Sequence, residues 1–176
     1  EINFFKFEKF EELLKSNVDL IVLGISSKGI EWVADQLSRL YKANKIPKLL
    51  MLTKGLSIYN NQYELLVDKL VRLLGDRGIF NSDISAVGGP CLAAGLANRV
   101  HSSVVIANKN LATAKKIADM VNTNYYHTSH SDDLNGVEVS AAIKNIFSMA
   151  VGAAKGLCSI NISDETREKN YLNTAS

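Results

Sequence analysis

Residues 18–25, Val-Asp-Leu-Ile-Val-Leu-Gly-Ile, are an apolar run whose length and β-branched content are typical of a buried strand. The segment after it carries an apolar stripe at helical spacing, at Ile30, Val33, Ala34, Leu37, Leu40 and Tyr41. A second short apolar run, Leu49–Thr53, follows Pro47 and stops at Lys54-Gly55. A strand, a helix and another strand in this order predict a βαβ unit with parallel strands.

The alternation of strands and helices continues along the chain. Three further strands are predicted at residues 84–87, 103–107 and 125–128, and helices at residues 63–74, 91–98 and 111–121. Gly75 is predicted to end the first of these helices in the left-handed conformation. Because single helices separate the strands, the sequence predicts an α/β fold, with a mostly parallel sheet covered by helices on both faces.

A long helix is predicted from about Leu134 to Lys155, with Ser131-Asp132-Asp133 as its cap and first-turn acids. Of the 16 residues from 139 to 154, 11 are apolar and one is charged, so we expect burial against more than one sheet face. The same run is expected to be too short and too polar to span a bilayer.

The composition is that of an ordinary soluble globular protein. The chain has 176 residues, 47% of them hydrophobic and 22% charged, and 20 basic against 18 acidic side chains leave a net charge of +2. This balance gives no electrostatic footprint for nucleic acid or an anionic membrane. Two cysteines without ligand spacing favour a reducing, cytoplasmic setting.

Ligands of open α/β sheets bind beyond the carboxyl ends of the strands. Ser26 follows the first predicted strand, Lys54 the second and Gly88-Gly89-Pro90 the third. Glycine lets a backbone approach a ligand closely, and a lysine ammonium donates hydrogen bonds to a phosphate or carbonyl oxygen. The alternative is that the glycines only form a turn and that Lys54 is a solvated cation.

Lys144 lies in the apolar stretch of the long helix, and no carboxylate stands three or four residues away from it. Burial without a partner would disfavour its charged form and suit a general base. Asn145 beside it could orient a hydroxyl or carbonyl group. The alternative is a lysine whose stem is covered while its ammonium reaches water.

Two other groups have structural explanations. His127 and His130 stand near Asp132 and Asp133, but the acids already serve as a helix cap, so we predict no metal site. Cys91 follows Pro90 near a helix start, which can activate a thiol, but a small buried thiol is the better explanation.

Three linked motifs resemble those of the NAD-dependent glycerol-3-phosphate dehydrogenase family. They are Leu52-Thr53-Lys54-Gly55, then Val87-Gly88-Gly89-Pro90 with Ala93 three residues on, then Asp133-Leu134-Asn135-Gly136-Val137-Glu138 running into Ala142-Ile143-Lys144-Asn145. The resemblance covers the chain from about residue 18 to residue 156. It implies a partial Rossmann-like NAD-binding domain over residues 1–130 and the start of a helical substrate-binding domain over residues 131–176.

The resemblance also implies an activity and a site. The activity is reversible hydride transfer between sn-glycerol 3-phosphate and dihydroxyacetone phosphate, with NAD or NADP as cofactor, in a cytoplasmic enzyme that supplies phospholipid precursors. Neither nucleic acid nor integral membrane association is expected, and a homodimer is left open. The residues that it implies are Lys144 as proton acceptor, Lys54 for cofactor and substrate, Gly89 and Cys91 for substrate, and Ala93 for cofactor. From their positions alone, Asn145 beside Lys144 is added as a catalytic residue and Ser26 after the first strand as a cofactor residue, and Lys54 is counted as catalytic as well.

The chain also departs from the family pattern. It contains no G-x-G-x-x-G, and Cys91 stands where the family more often has serine or another small residue. We therefore expect the chain to be the interior of a longer dehydrogenase, inactive by itself. The alternatives are another hydroxyacid or ketopantoate-type dehydrogenase, in which the lysine and asparagine are usually a helical turn apart, and a non-catalytic remnant of the fold.

Overall fold

The computed structural model describes residues 3–15, 18–41 and 46–158. The chain divides into two compact units, Glu1–Ala141 and Ala142–Ser176. The predicted domain boundary between residues 130 and 131 stays a prediction.

Within its described residues, the first unit contains seven strands, and helices precede, separate and follow them. The strands are β1 Leu20–Leu23, β2 Lys48–Met51, β3 Leu56–Tyr59, β4 Gln62–Leu65, β5 Ile84–Gly88, β6 Ser102–Ala107 and β7 Tyr126–Ser131. The helices are α1 Phe10–Leu14, α2 Ile30–Leu40, α3 Leu66–Gly75, α4 Ala93–Ala97, α5 Leu111–Val121 and α6 Leu134–Cys158, which continues into the second unit.

Five strands form one sheet in the order β1-β2-β5-β6-β7. The pairs β1–β2, β2–β5 and β6–β7 are parallel, whereas β5 and β6 are antiparallel. The predicted mostly parallel sheet with flanking helices is confirmed.

The core lies on both faces of this sheet. Leu49 and Met51 of β2 are fully buried with α2 and α3 on one face, while Leu50 packs with Ile106 and Ile117 on the α5 face. Both faces of the strand are therefore covered, which explains why its sequence is continuously apolar instead of alternating. Burying each of these side chains contributes about 2 kcal/mol to folding.

A β-hairpin replaces the predicted start of the third helix. Strands β3 and β4 pair antiparallel around Asn60 and Asn61, which have φ angles of 50° and 60°. Asparagine tolerates this left-handed region, which the tight turn of a hairpin requires. Tyr63 was predicted to lie on the helix but is an exposed residue of β4, so the helix begins at Leu66.

The prediction that Gly75 adopts the left-handed conformation is wrong. Gly75 is the last residue of α3, and the positive φ, 85°, belongs to Gly78. The chain makes one further turn after the helix, and the Ile79 amide then donates to the Leu74 carbonyl at 2.9 Å. The glycine is needed where the chain reverses, three residues later than predicted.

Helix α6 begins as predicted. The Asp133 carboxylate accepts a hydrogen bond from the Gly136 amide at 2.8 Å, and the Ser131 hydroxyl accepts one from the Asp133 amide at 3.0 Å. The expectation that the run from 139 to 154 is too short and too polar to span a bilayer is contradicted by length and composition, because the helix that contains it has 25 residues and an 18-residue window of it reaches a mean hydropathy of 1.2. By length and composition alone it could cross a membrane, which for one helix is weak support.

Candidate active site

The segments that follow β1, β2 and β5 meet at one edge of the sheet. The Thr53 hydroxyl donates to the Ile25 carbonyl at 2.7 Å, which joins the segments after β2 and β1. The Lys54 Nζ donates to the Gly89 carbonyl at 3.3 Å, which joins the segments after β2 and β5. We call the group formed by Lys54, Gly88 and Gly89 the lysine–glycine corner.

Both glycines of this corner are required by close packing. A Cβ on Gly89 would lie 2.7 Å from the Ser103 carbonyl oxygen, and Gly89 has a φ of 140°. A Cβ on Gly88 would lie 2.8 Å from Cγ1 of Val137, in the first turns of α6. The close approach of strand β6 and helix α6 explains the glycine pair better than a simple turn does.

Lys54 is exposed, and no carboxylate within the described part of the chain pairs with it. An ammonium group carries three N–H donors, and the Gly89 carbonyl accepts from one of them. Two donors and a full positive charge are thus left for an anionic or carbonyl oxygen at the carboxyl end of parallel strands.

Three other predicted site residues differ in how deeply their side chains are buried. Cys91 is partly buried against the α5 side of the core, and its amide donates to the Gly89 carbonyl at 3.0 Å. Ala93 is exposed at the start of α4, and Ser26 is exposed after β1. The packing of Cys91 fits a small apolar side chain. Burial, with a smaller contribution from Cys91, raises the pKa of the neighbouring Tyr126.

Lys144 and Asn145 lie on α6 in the second unit, and both are exposed. Of the two alternatives for Lys144, the buried one is not seen in this structure, where Lys144 is exposed and its neighbours Ile146 and Phe147 are 63% and 65% exposed. The apolar character of the helix was read correctly, but nothing in the described chain covers this part of it. The catalytic role of Lys144 stays a prediction.

Sequence reasoning missed Glu138. Its side chain is only 6% exposed, and Oε1 accepts a hydrogen bond from the Val67 amide at 3.3 Å. Oε2 is buried without a partner among the described residues. Burial raises the pKa of this carboxyl to about 7, and Asp68 adds to the shift. The sequence did hold a sign of this, because Glu138 stands between Val137 and Val139 in the apolar long helix.

The histidines are arranged differently from the cluster considered in the sequence. His127 Nε2 lies 2.9 Å from Nδ1 of His101, and the two exposed rings are stacked. Among the residues that the structure describes, no three histidine, cysteine, aspartate or glutamate side chains are grouped to hold a metal ion.

Comparison with known proteins identifies the family. The model for the N-terminus of NAD-dependent glycerol-3-phosphate dehydrogenases matches residues 7–114, more than half of the chain. The chain belongs to this family. A glycerol-3-phosphate dehydrogenase [NAD(P)+] from Leptospira biflexa is 41% identical over 80 residues, which are 46% of this chain and 24% of the relative.

Other members of the family match more of the chain. The NADP(+)-dependent glycerol-3-phosphate dehydrogenase of Archaeoglobus fulgidus is 27% identical over 149 residues, 85% of this chain and 42% of the relative. The solved glycerol-3-phosphate dehydrogenase of Saccharomyces cerevisiae superposes with a TM-score of 0.68 at 18% identity, covering 94% of this chain and 47% of that one. The likeness confirms the Rossmann-like fold. The chain spans less than half the length of these relatives.

Proposed function

We propose that this protein acts in reversible, NAD(P)-linked hydride transfer between sn-glycerol 3-phosphate and dihydroxyacetone phosphate. The observation that carries the proposal is the lysine–glycine corner, where the Lys54 ammonium lies 3.3 Å from the Gly89 carbonyl. Membership in the dehydrogenase family supplies the reaction class. The corner supplies a cation and a closely packed backbone at the sheet edge where such folds bind ligands.

Lys54 is the group that binds in this proposal. Its remaining N–H donors reach for a phosphate or carbonyl oxygen, and no carboxylate of the described chain competes for them. In this proposal Gly89 and Cys91 contact the substrate through their backbone, as the motif resemblance implies, and the close packing of Gly89 on β6 fixes the position of that backbone. The corner therefore holds the substrate by charge and shape.

The residues present at the corner fit a bound dinucleotide in part. Ser26, Lys54 and Ala93 line the ends of β1, β2 and β5 and would hold it, whereas the sequence offers no G-x-G-x-x-G for its pyrophosphate. NAD(P) supplies the hydride acceptor when it is bound. The preference of the enzyme for NAD or for NADP depends on residues outside the lysine–glycine corner.

Lys144 is the proton acceptor in this proposal, as the motif resemblance implies. A lysine acts as a base only with its amine neutral, and it would then take the proton of the C2 hydroxyl. Asn145 would orient that hydroxyl. Lys144 is exposed in this structure. Because a neutral amine is favoured by burial, this role requires Lys144 to be covered when substrate is bound.

The assay is reduction of dihydroxyacetone phosphate by NADH and by NADPH, with the full-length protein. Lys144→Ala is expected to lower kcat by about a thousandfold, since in this direction the same lysine returns the proton to the C2 oxygen as a general acid, and general acid–base catalysis contributes roughly 10²–10⁴. Lys54→Ala is expected to raise KM more than it lowers kcat. Lys155→Ala on the same helix and Lys116→Ala on α5 are the matched controls.

Three outcomes would contradict parts of this proposal. Unchanged turnover in Lys144→Ala would remove it as the base. Turnover only with a 2-hydroxyacid or ketopantoate would move the protein to the related dehydrogenases. Absence of both turnover and NAD(P)H binding would favour a non-catalytic remnant of the fold.

We further propose a cytoplasmic enzyme of glycerol-3-phosphate metabolism, free of integral membrane association. The near-neutral charge and the reducing setting indicated by the cysteines support this location. Fractionation of cells that express the protein tests it, and recovery in the membrane pellet after a high-salt wash would contradict it. Light scattering tests whether the full-length protein is a homodimer.

A further inference from the structure

The buried carboxyl group of Glu138 has no role in the proposed reaction, yet it joins two helices of the first unit. It lies on the second turn of α6, is 6% exposed, and accepts the Val67 amide of α3 at 3.3 Å. The first amides of a helix lack partners within the helix, so an acceptor oxygen at this place stabilises the start of α3.

The start of α3 is coupled to Lys54 through the hairpin. Leu65, the residue before α3, pairs with Leu56, which is two residues from Lys54. Glu64 accepts two hydrogen bonds from the Arg72 guanidinium of α3, at 2.8 and 3.0 Å. The hairpin and α3 are therefore held together, and displacement of the first turn of α3 would displace the backbone beside Lys54.

The same stretch of α6 touches the other half of the corner. Val137, next to Glu138, packs so closely on Gly88 that a Cβ there would lie 2.8 Å from Cγ1. Gly88 is bonded to Gly89, whose carbonyl accepts from Lys54. Val137 thus contacts Gly88 directly, and Glu138 contacts the start of α3, which the hairpin connects to Lys54.

We propose that Glu138 is a positioning residue for the lysine–glycine corner, holding the start of α3 against the first turns of α6 so that Lys54 and Gly89 stay within hydrogen-bond distance. The inference rests on the proposed function for its catalytic consequence. Its structural part stands on the described contacts alone.

The chemistry of the carboxyl group makes this tie sensitive to protonation. Burial raises the pKa to about 7, and Asp68 on α3 adds to this, while the amides of Val67 and Leu66 and the Lys109 ammonium oppose it. Asp68 and Lys109 also pair with each other at 3.4 Å. Below pH 7 the group is neutral. Above pH 7 a negative charge is buried, and no described residue donates to Oε2, so the cost of burying the charge favours withdrawal of the carboxyl from this position, although the bond from the Val67 amide itself favours the ionised form.

The experiment compares Glu138→Gln and Glu138→Ala with Glu12→Gln, an exposed acid on α1. KM and kcat for dihydroxyacetone phosphate are measured from pH 6 to pH 8.5. Wild-type KM is expected to rise about tenfold across pH 7, while Glu138→Gln, which keeps the acceptor oxygen without the charge, stays flat. Glu138→Ala is expected to have a raised KM at every pH, with kcat within about threefold.

A second readout does not depend on turnover. Hydrogen exchange of the Val67 amide is expected to be at least about tenfold faster in Glu138→Ala than in Glu138→Gln, because only the latter keeps the acceptor. If wild type lacks turnover, the proposed function fails and this exchange result decides the inference. Equal Val67 exchange in all variants, or a KM profile in Glu138→Gln that rises across pH 7 as in wild type, would overturn it.

Discussion

The contact between Gly88 and Val137 allows a test in which one substitution repairs another. Gly88→Ala introduces a Cβ 2.8 Å from Cγ1 of Val137, 3.4 Å from its carbonyl oxygen and 4.0 Å from the Ala141 Cβ. The shortest contact is to a side chain, so α6 or Val137 must shift. Overpacking of this kind costs about 1–3 kcal/mol in the free energy of unfolding.

Removal of the obstructing methyl groups should make room for the new one. Val137→Ala alone leaves a small gap and is expected to cost about 1 kcal/mol. In the double variant the new Cβ occupies part of that gap, so its stability should lie close to that of Val137→Ala. The coupling free energy expected from the four proteins is about 1–2 kcal/mol in favour of the double variant.

Urea unfolding of wild type, both single variants and the double variant measures this coupling. Gly89→Ala is the contrasting case, since its Cβ would meet the Ser103 carbonyl at 2.7 Å and the Val104 Cα at 2.9 Å, and backbone cannot be trimmed. It is expected to cost about 3 kcal/mol or more. Gly95→Ala is the control without a steric clash. Gly95 lies inside α4, and its new Cβ would be 3.8 Å from the Cβ of Val100, an ordinary contact distance. Additivity within about 0.5 kcal/mol would refute the proposed steric contact.

Two further stability predictions follow from polar contacts elsewhere in the first unit. Burial alone would raise the pKa of Asp83, but donation from Lys48 at 2.6 Å, Asn108 at 2.8 Å and Thr113 at 3.0 Å holds it below its ordinary value. A carboxyl whose pKa is lowered on folding stabilises the fold above about pH 4, and this contribution is lost as pH falls. In urea unfolding, Asp83→Asn should therefore lower the free energy of unfolding by about 1 kcal/mol at pH 7 and by less at pH 3. An equal loss at both pH values would contradict this. Asn61→Gly should raise the free energy of unfolding by about 0.5 kcal/mol, because φ is 60° at this position and glycine adopts such angles without strain. Asn81→Gly is the control, since φ is not positive there, and it should bring no gain. A loss of stability in Asn61→Gly would contradict the turn geometry.

The inner strands of the sheet could be predicted because they are short, mainly apolar runs between turn residues, whereas β7 is mostly polar. Leu49–Met51 and Ile84–Ala86 are buried on both faces, so hydrophobicity alone marks them. The hairpin was missed because it lacks that signal, since Ile58 and Tyr63 are both exposed. Its stability comes from the turn and from contacts with α3, which a local pattern does not show.

The site could be predicted only in part. Lys54 and Gly89 follow strands, and strand ends of a parallel sheet share an edge, so their meeting was foreseeable. The reversed strand β6, which explains the need for glycine at position 89, was not. Burial of Glu138 and exposure of Lys144 were equally beyond the sequence, because both depend on which surfaces pack against α6.

The reversed direction of β6 and β7 decides where α6 begins. Both strands run opposite to β5, and their register places Ser131, the last residue of β7, level with Ala86, two residues before Gly88. The helix that starts at Leu134 therefore meets Gly88 through Val137, within its first turn. With β6 and β7 antiparallel to β5 in this register, the first turn of α6 lies beside the end of β5 that carries Gly88 and Gly89, where Val137 and Glu138 can brace the corner.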